Sequence, residues 1–239
     1  MSRTIVIVQA RFGSTRLPGK ILEPLGDKTV LAHVLERCRA IDGVDEVCCA
    51  IPTSADCDLV VAEAEHAGVQ IFRGSETDVL DRYFGAAKAA QADIILRVTS
   101  DCPLIDPTVC GDVIKLRARK DAAYASNNNP PSWPHGLDCE AFTFEWLARA
   151  ADQATAVFDR EHVCPFIRNH PDAVIANLTS PDPKMAPHRW TLDTPADLAF
   201  FQTLWPLIPE GLAGWDYRVP LEIVESQPMI TSINTGTQQ

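Results

Sequence analysis

The chain has 239 residues and a formal net charge of −11, with 46% hydrophobic and 22% charged residues. This composition is typical of a globular protein with a sizeable core. Because its overall field repels polyanions, and no apolar stretch approaches the roughly 18 residues of a membrane span, we expect no nucleic-acid partner and no membrane partner.

The first half of the chain alternates apolar runs with amphipathic segments. Gly68 should end the second predicted helix, and Ser75 or Thr77 should cap the third. This alternation predicts an α/β fold with a mostly parallel sheet. The predicted strands are 5–8, 46–52, 69–72 and 93–99, and the predicted helices are 29–41, 56–67 and 77–91.

The second half is less regular, and we interpret the chain as one domain with an excursion at about 127–188 for the acceptor or for dimerisation. Residues 127–136, NNNPPSWPHG, predict a lid or substrate loop. Pro165 should kink or split the helix that we predict at 159–170. The other predicted helices are 106–120, 143–152, 195–204 and about 220–226, before a polar tail, and the predicted strands are 122–126, 137–142, 173–178 and 189–192.

Residues 9–20, QARFGSTRLPGK, follow the first strand and form a cationic loop. Gly13, Pro18 and Gly19 prevent a simple helix there. Arg11, Arg16 and Lys20 supply cations and Ser14 and Thr15 supply hydroxyl donors, in a chain that is otherwise acidic. Backbone N–H groups and such side chains hold phosphates, so the pattern predicts a phosphate loop. An ordinary basic surface loop is the alternative.

Two carboxylates follow predicted strands and should approach this loop. Asp101 follows the strand at 93–99, and Asp193 follows the one at 189–192. Ligands of open parallel sheets bind outside the carboxyl ends of the strands. Mg²⁺ binds through one or two carboxylates and phosphate oxygens. We therefore predict a metal site, with a turn role for Asp101 and a helix-cap role for Asp193 as alternatives.

The eight cysteines form no C-x-x-C pair, so the sequence gives little support for a zinc or redox site. The N-terminal apolar run is too short for a signal peptide. We expect reduced, mostly buried thiols in a cytoplasmic protein.

Five motifs occur in an order that resembles one enzyme family: QARFGSTRLPGK, RVTSDCPLID, HGLDCEAF, DREHVCPFIRNHP and RWTLDTPADL. They are similar to the cytidylyltransferases that make CMP-activated sugar acids, the CMP-KDO and acylneuraminate synthetases. The spore-coat polysaccharide biosynthesis subgroup is the closest match, over roughly residues 4–200. The resemblance implies a three-layer α/β/α sandwich, usually dimeric. The implied reaction moves CMP from CTP to a small anionic acceptor with loss of pyrophosphate, in surface polysaccharide or glycoconjugate biosynthesis.

The resemblance also implies roles for individual residues. Arg11, Lys20 and Asp101 are implied to be catalytic, and Asp101 and Asp193 to hold Mg²⁺, or Mn²⁺ in its place. Where CMP-KDO synthetases carry Gln-Gly-Asp, this chain has Thr99-Ser100-Asp101, so the metal aspartate is kept but the missing Gln does not support the handling of a KDO-like acceptor. The implied nucleotide-binding residues are Gln9, Ala10, Arg11, Gly13, Ser14, Arg16, Lys20, Pro52, Thr53, Ser54, Arg73, Gly74, Ser75, Thr99 and Ser100.

An anionic acceptor requires cations of its own. The candidates are Arg97, His135, Arg160, His162 and Arg189. Each could instead be a helix-end or surface residue, and the sequence does not identify the acceptor.

Other functions remain open. One is transfer to a phosphonate or to a phosphorylated small acid. Another is a nucleotide-sugar-binding glycosyltransferase, which would need an Asp-x-Asp metal motif, or a relative that binds nucleotide without catalysis. The only such triplet is Asp56-Cys57-Asp58, at a predicted helix start where acidic residues are expected anyway.

Overall fold

A seven-stranded sheet forms the centre of the protein, in a computed structural model that describes residues 2–209 and 215–236. A separate hairpin of two short strands lies beside it. In chain order the strands are β1 (Thr4–Gln9), β2 (Pro24–Leu25), β3 (Lys28–Thr29), β4 (Glu46–Pro52), β5 (Gln70–Gly74), β6 (Ile94–Thr99), β7 (Tyr124–Ser126), β8 (Glu140–Thr143) and β9 (Ile175–Asn177).

Helices connect most of these strands. None of those in the described ranges is long and apolar enough to cross a membrane. In chain order they are α1 (Val30–Arg39), α2 (Asp58–His66), α3 (Val79–Ala89), α4 (Pro107–Arg119), α5 (Phe144–Gln153), α6 (Val157–His162), α7 (Pro165–Arg168), α8 (Pro195–Leu204), α9 (Arg218–Ser226) and α10 (Pro228–Ser232).

The order of the main sheet is β5-β4-β1-β6-β8-β7-β9. β1 is parallel to both β4 and β6, whereas β8 is antiparallel to β6 and β7. The predicted α/β fold with a mostly parallel sheet is therefore confirmed. Since the chain crosses from β5 at one edge to β6 on the other side of β1, the strand order reverses there, at the place where such sheets bind ligands.

Alternate residues of β1 enter two different cores, because side chains of a strand point to opposite faces. Val6 and Val8 pack with α1, α2 and α4, whereas Ile5 and Ile7 pack with α3, α5 and α7. All four are fully buried, which explains the continuous apolar run of a central parallel strand. Helices thus cover both faces of the sheet, as the predicted three-layer sandwich requires.

A third core lies beyond the end of the sheet. Trp190 and Leu192 are fully buried there against α8, α9 and the loop that contains Trp133. This cluster fixes the segment that leads into Asp193. The strand predicted at 189–192 is wrong: Trp190 N–H donates to His135 O at 2.6 Å and Leu192 N–H to Asp101 O at 2.8 Å, so these bonds go to two loops instead of a sheet neighbour.

The segment 127–188, predicted as an excursion, supplies β8 and β9. β8 lies inside the sheet between β6 and β7, so this segment also completes the central layer. The division of the chain into one domain with an excursion stays a prediction.

Two helix predictions can be compared with the structure in detail. The helix predicted at 159–170 is split, one of the two outcomes predicted at Pro165: α6 ends at His162, Val163 has a φ of 69°, and Pro165 begins α7. The predicted cap of α3 is also wrong, since Asp78 caps it by accepting a hydrogen bond from Asp81 N. The predicted polar tail contains α10, and its last residues, 237–239, lie outside the described residues.

Candidate active site

A crevice of about 580 Å³ opens at the carboxyl ends of β1 and β6. Its volume is within the range of small-molecule sites. It brings together most of the residues that the sequence selected. Those that line it are Gln9, Ala10, Arg11, Gly13, Ser14, Arg16, Lys20, Arg97, Thr99, Ser100, Asp101, His162 and Asp193.

The loop after β1 is folded by its own backbone. Gly19 has a φ of 72°, a conformation that glycine adopts without strain. Its N–H donates to Phe12 O at 3.1 Å, and Lys20 N–H donates to Leu17 O at 3.2 Å. This turn starts a short 3₁₀ helix at Lys20, which directs the ammonium group into the crevice.

Lys20 joins the two predicted metal ligands. Its Nζ lies 2.6 Å from Asp101 Oδ2 and 2.8 Å from Asp193 Oδ1. The side chain is only 12% exposed. Two carboxylates that are distant in sequence therefore converge on a space that a single cation fills.

Asp193 is surrounded by cations. Arg16 Nη2 lies 3.1 Å from its Oδ1, and Arg189 Nη2 lies 3.0 Å from its Oδ2. Thr194, not Asp193, caps α8, because the Thr194 hydroxyl accepts the bond from Asp197 N. The helix-cap alternative for Asp193 is therefore wrong, and its carboxylate faces the crevice.

The charges in this cluster reinforce one another. Burial alone would raise the pKa of Asp193, but the hydrogen bond from Lys20 and the nearby Arg16 and Arg189 lower it below its usual value. Burial alone would lower the pKa of Lys20, but Asp101 and Asp193 raise it. Both groups are thus held charged near neutral pH.

The thiol beside this cluster is inert. Cys102 Sγ lies 3.6 Å from Asp101 Oδ1 and 3.2 Å from Thr99 Oγ1. Burial raises the pKa of this thiol well above its usual range. The geometry therefore supplies no thiolate nucleophile at this point.

One wall of the crevice holds buried polar atoms that have no hydrogen-bond partner among the described residues. These atoms are Gln9 Oε1, Arg82 Nε and Arg97 Nε. Arg97 pairs with Glu140 on the neighbouring strand, so its charge is already compensated. Buried polar groups are normally paired, so three unpaired atoms in residues that line the crevice are unusual.

Six of the implied nucleotide-binding residues do not line the crevice. Arg73 donates instead to Pro52 O at 3.1 Å and Ser54 O at 2.8 Å, and pairs with Asp58. It ties the end of β4 to the start of α2. The roles predicted for Pro52, Thr53, Ser54, Arg73, Gly74 and Ser75 stay predictions, although the next two residues, Glu76 and Thr77, do line the crevice.

Three predicted acceptor residues are engaged outside the crevice lining. His135 Nδ1 lies 2.9 Å from Asp138 Oδ2, and the hydrogen bond to Asp138 raises the pKa of His135. Arg160 Nε donates to Asp78 Oδ2 at 2.9 Å. Arg189 pairs with Asp193 at the back of the cation cluster. An acceptor role for each of the three stays a prediction, and it would require these pairs to open.

Several lining residues were not selected from the sequence. Arg82 and Val79 come from α3, and Val157 and Glu161 come from α6. On these amphipathic helices, the pattern indicated the core face but did not show which neighbouring residues would meet the crevice. Thr15 was named only as a hydroxyl donor of the predicted loop, and the lining residues that were missed are Ile21, Glu76, Thr77, Val79, Arg82, Val157 and Glu161.

A second groove, of about 540 Å³, lies between the β2–β3 hairpin, α1 and α2. Its lysine, Lys28, is paired with Glu36 at 2.7 Å, and Thr29 donates to Glu63. It is not at the carboxyl ends of the central strands and contains no pair of carboxylates that converge on one cation. We therefore assign the chemistry to the crevice of Lys20.

Comparisons with known proteins agree with this geometry. Residues 5–204 match the Cytidylyltransferase family. The spore coat polysaccharide biosynthesis protein SpsF of Bacillus subtilis is 33% identical over 211 residues, which cover 86% of this chain and 87% of SpsF.

Two solved structures share the fold. A cytidylyltransferase from Leptospira borgpetersenii superposes with a TM-score of 0.92 at 28% identity, covering 100% of this chain and 99% of its own. CMP:2-keto-3-deoxy-manno-octonic acid synthetase complexed with CTP gives a TM-score of 0.66 at 18% identity, covering 85% of this chain and 98% of its own.

Proposed function

The chain belongs to the cytidylyltransferase family, whose reaction moves CMP from CTP to an acceptor, and we propose that its acceptor is a small sugar acid. The observation that carries the proposal is the contact of Lys20 with both Asp101 and Asp193, inside a crevice lined by the cationic loop. This arrangement joins sites for a polyphosphate and for a divalent cation.

The metal proposal rests on how the two carboxylates converge. Both Asp101 Oδ2 and Asp193 Oδ1 lie within 2.8 Å of one nitrogen, so one cation can contact both. No group of three or more potential His, Cys, Asp or Glu ligands occurs in the described ranges. Two carboxylates suit Mg²⁺, which takes its other ligands from phosphates and water, and Mn²⁺ would substitute. When bound there, the metal would polarise the α-phosphate and the acceptor oxygen.

The chain's own residues would position the reaction. Arg11, exposed at the mouth of the crevice, and Lys20 would bind the β- and γ-phosphates and stabilise the leaving pyrophosphate. The acceptor oxygen attacks the α-phosphorus as the bond to pyrophosphate breaks. Charge then develops on phosphate oxygens, where fixed cations lower the barrier.

The wall formed by Gln9, Arg82 and Arg97 supports a sugar acid. These atoms are buried, so a ligand would have to draw the side chains into the crevice; there the Nε groups of the two arginines would donate to a carboxylate or hydroxyl, and Gln9 Oε1 would accept from a hydroxyl. Spore coat polysaccharide biosynthesis and CMP-sugar-acid synthesis are named for similar proteins. We therefore place this reaction in surface polysaccharide or glycoconjugate biosynthesis.

The glycosyltransferase alternative would need the Asp-x-Asp triplet at 56–58 to bind a metal in the crevice. Asp58 pairs with Arg73, and neither Asp56 nor Asp58 lines the crevice.

We propose that the protein is cytoplasmic. All eight cysteines are buried free thiols, consistent with a reducing cytoplasm. We propose a homodimer because the edge strand β9 exposes Ile175 and the adjacent Val174, with 52% and 55% of each residue accessible.

The test is pyrophosphate release from CTP, UTP, GTP and ATP with a panel of sugar acids, phosphonates and phosphorylated acids. We expect activity with CTP and a sugar acid, and its loss on chelation of divalent metal. Lys20→Ala and Arg11→Ala should lower turnover by orders of magnitude. Asp101→Asn and Asp193→Asn should remove turnover while CTP still binds. Full activity of both asparagine variants would refute the metal site, and activity only with a phosphorylated acceptor would refute the sugar acid.

A further inference from the structure

Asp197, four residues after Asp193, is a fully buried carboxylate with an unusual number of donors. Its Oδ2 accepts hydrogen bonds from the backbone N–H of Asp193 at 3.0 Å and of Thr194 at 2.9 Å, and from the Thr194 hydroxyl at 2.9 Å. Arg189 and Asn234 complete the set. Nothing in the sequence pattern of the site had selected Asp197 or Asn234.

Arg189 is shared between two carboxylates. Its Nε donates to Asp197 Oδ1 at 2.8 Å, whereas its Nη2 lies 3.1 Å from Asp197 Oδ2 and 3.0 Å from Asp193 Oδ2. Two of these three contacts of the guanidinium therefore go to Asp197, and one goes to Asp193. Asp193 Oδ1 stays directed at the position of the Lys20 ammonium.

Asn234 fixes this arrangement from behind. Its Nδ2 donates to Asp197 Oδ1 at 3.1 Å and to Arg189 O at 3.0 Å. The residue follows α10 and is only 3% exposed. The C-terminal helices are thus connected to Asp193 through two hydrogen-bonded side chains.

We propose that Asp197 is a positioning residue for the metal-binding carboxylate Asp193, with Arg189 and Asn234 as its supports. The inference rests on the proposed function, in which Asp193 binds a divalent cation. Asp197 fixes the backbone of Asp193 and holds Arg189 away from full pairing with it. Without the negative charge of Asp197, Arg189 turns its charge onto Asp193 and makes that carboxylate a poorer ligand.

Helix capping alone does not account for these contacts. A capping box requires the reciprocal bonds between Thr194 and Asp197, which are present. It requires neither the pair with Arg189 nor the bond from Asn234. A buried carboxylate that only capped the helix would contribute stability without affecting metal affinity.

The experiment compares Asp197→Asn with Asp106→Asn. Asp106 is an equally buried carboxylate that caps α4 and accepts from Val109 N and Tyr217 N, away from the crevice. Mn²⁺ binding to the protein with saturating CTP is followed by water-proton relaxation. We expect Asp197→Asn to weaken Mn²⁺ binding by about 10- to 100-fold, the usual loss for a residue that supports a metal ligand, and Asp106→Asn to leave it within about twofold.

A second readout separates positioning from loss of fold. Raising the Mn²⁺ concentration should restore most of the turnover of Asp197→Asn, because the ligand is weakened but not removed. Equal Mn²⁺ affinity in Asp197→Asn and the wild type would overturn the inference. Should Asp197→Asn not fold, Asn234→Ala should show a smaller loss of Mn²⁺ affinity in the same direction, and an unchanged affinity there counts against the inference.

Asp193→Asn distinguishes failure of the positioning role of Asp197 from failure of the proposed metal site. If Asp193→Asn loses Mn²⁺ and Asp197→Asn does not, only the positioning role of Asp197 fails. If Asp193→Asn binds Mn²⁺ as the wild type does, the proposed metal site itself fails.

Discussion

Lys20 shows how a single residue can control the site. Its ammonium contacts the same two carboxylate oxygens that a divalent cation would bind. Both cations cannot occupy one position, so metal entry requires Lys20 to turn away, and the phosphates of CTP offer it another partner. Metal and nucleotide should therefore bind cooperatively.

This coupling gives the first prediction. Lys20→Met removes the resident cation and keeps the aliphatic stem. Without CTP, we expect it to bind Mn²⁺ at least about tenfold more tightly than the wild type, which corresponds to about 1.4 kcal/mol. Electron paramagnetic resonance of free Mn²⁺ measures this. Lys28→Met, which loses only the surface pair with Glu36, is the control, and unchanged or weaker binding by Lys20→Met would contradict the coupling.

His135 gives a prediction about pH. Its hydrogen bond to Asp138 raises its pKa above 6.5, so the stability that the pair contributes is present below the unfolded pKa and is lost as the pH rises through the folded pKa. The His135 side chain is 43% exposed, which limits the effect to less than about 1 kcal/mol.

We therefore expect His135→Gln to lower the free energy of unfolding more at pH 5.5 than at pH 8.5, in urea titrations at each pH. His66→Gln, at an exposed residue of α2 without an ion pair in the described part of the chain, should show no such difference. An equal loss at both pH values would mean that His135 stabilises its loop by packing alone.

Individual site residues could be predicted from the sequence where the charged groups of the site lie together in one motif. The loop after β1 carried its cations in one stretch, and Asp101 followed an obvious strand. Asp197 was not predicted to be a site residue, because the local pattern Thr194-Pro-Ala-Asp197 is that of a capping box and indicates only a helix start. Its contacts with Arg189 and Asn234 depend on tertiary packing that no local pattern encodes.

At the scale of elements, Gly136 joins the predicted substrate loop to the third core. Its φ is 116°, and a Cβ added there would lie 2.1 Å from Trp190 O. Only glycine lets the loop approach the backbone that leads to Asp193 so closely. The loop of residues 127–136 is thus anchored at its end, whatever its other residues do on substrate binding.

The third prediction follows from this contact. Gly136→Ala should lower the free energy of unfolding by about 1–3 kcal/mol for backbone strain and by a similar amount for overlap with Trp190. Gly43→Ala, at a φ of 82° with nothing within 4 Å, carries the strain alone and should lose less. Chemical denaturation of the two variants compares them, and equal losses would show that the loop moves away from Trp190 at little cost.

Most elements of the first half could be predicted because their strands and helices had a clear period and a stop signal. The strands β2 and β3 have only two residues each, too few to show a period, and were not predicted. The second half was harder. β8 has only four residues and pairs antiparallel inside the sheet, so its place depends on β6 and β7 and not on its own pattern. The break of α6 at Val163 lies before the proline that signalled it, because Pro165 starts the next helix.

At the scale of the whole molecule, the sheet has two unlike edges. β5 forms one edge, and its exposed residue is the polar Gln70. β9 forms the other edge, and its exposed residue is the apolar Ile175. An exposed edge with apolar side chains is a common place for association, since its backbone groups and its apolar surface both lack partners. In a chain with a net charge of −11, general association is disfavoured, so contact through this edge would have to be specific.

The last prediction tests this edge as the contact of the proposed homodimer. Ile175→Lys places a charge where apolar surface would be buried against a second copy, so we expect light scattering after size exclusion to shift from a dimeric to a monomeric mass. Leu59→Lys, at a residue of α2 that is 63% exposed and far in sequence from β9, should leave the wild-type mass unchanged. A monomeric wild type would refute the homodimer. A dimer that survives Ile175→Lys would instead move the contact to another apolar surface, such as Val157 and Phe158 on α6, which are 80% and 57% exposed.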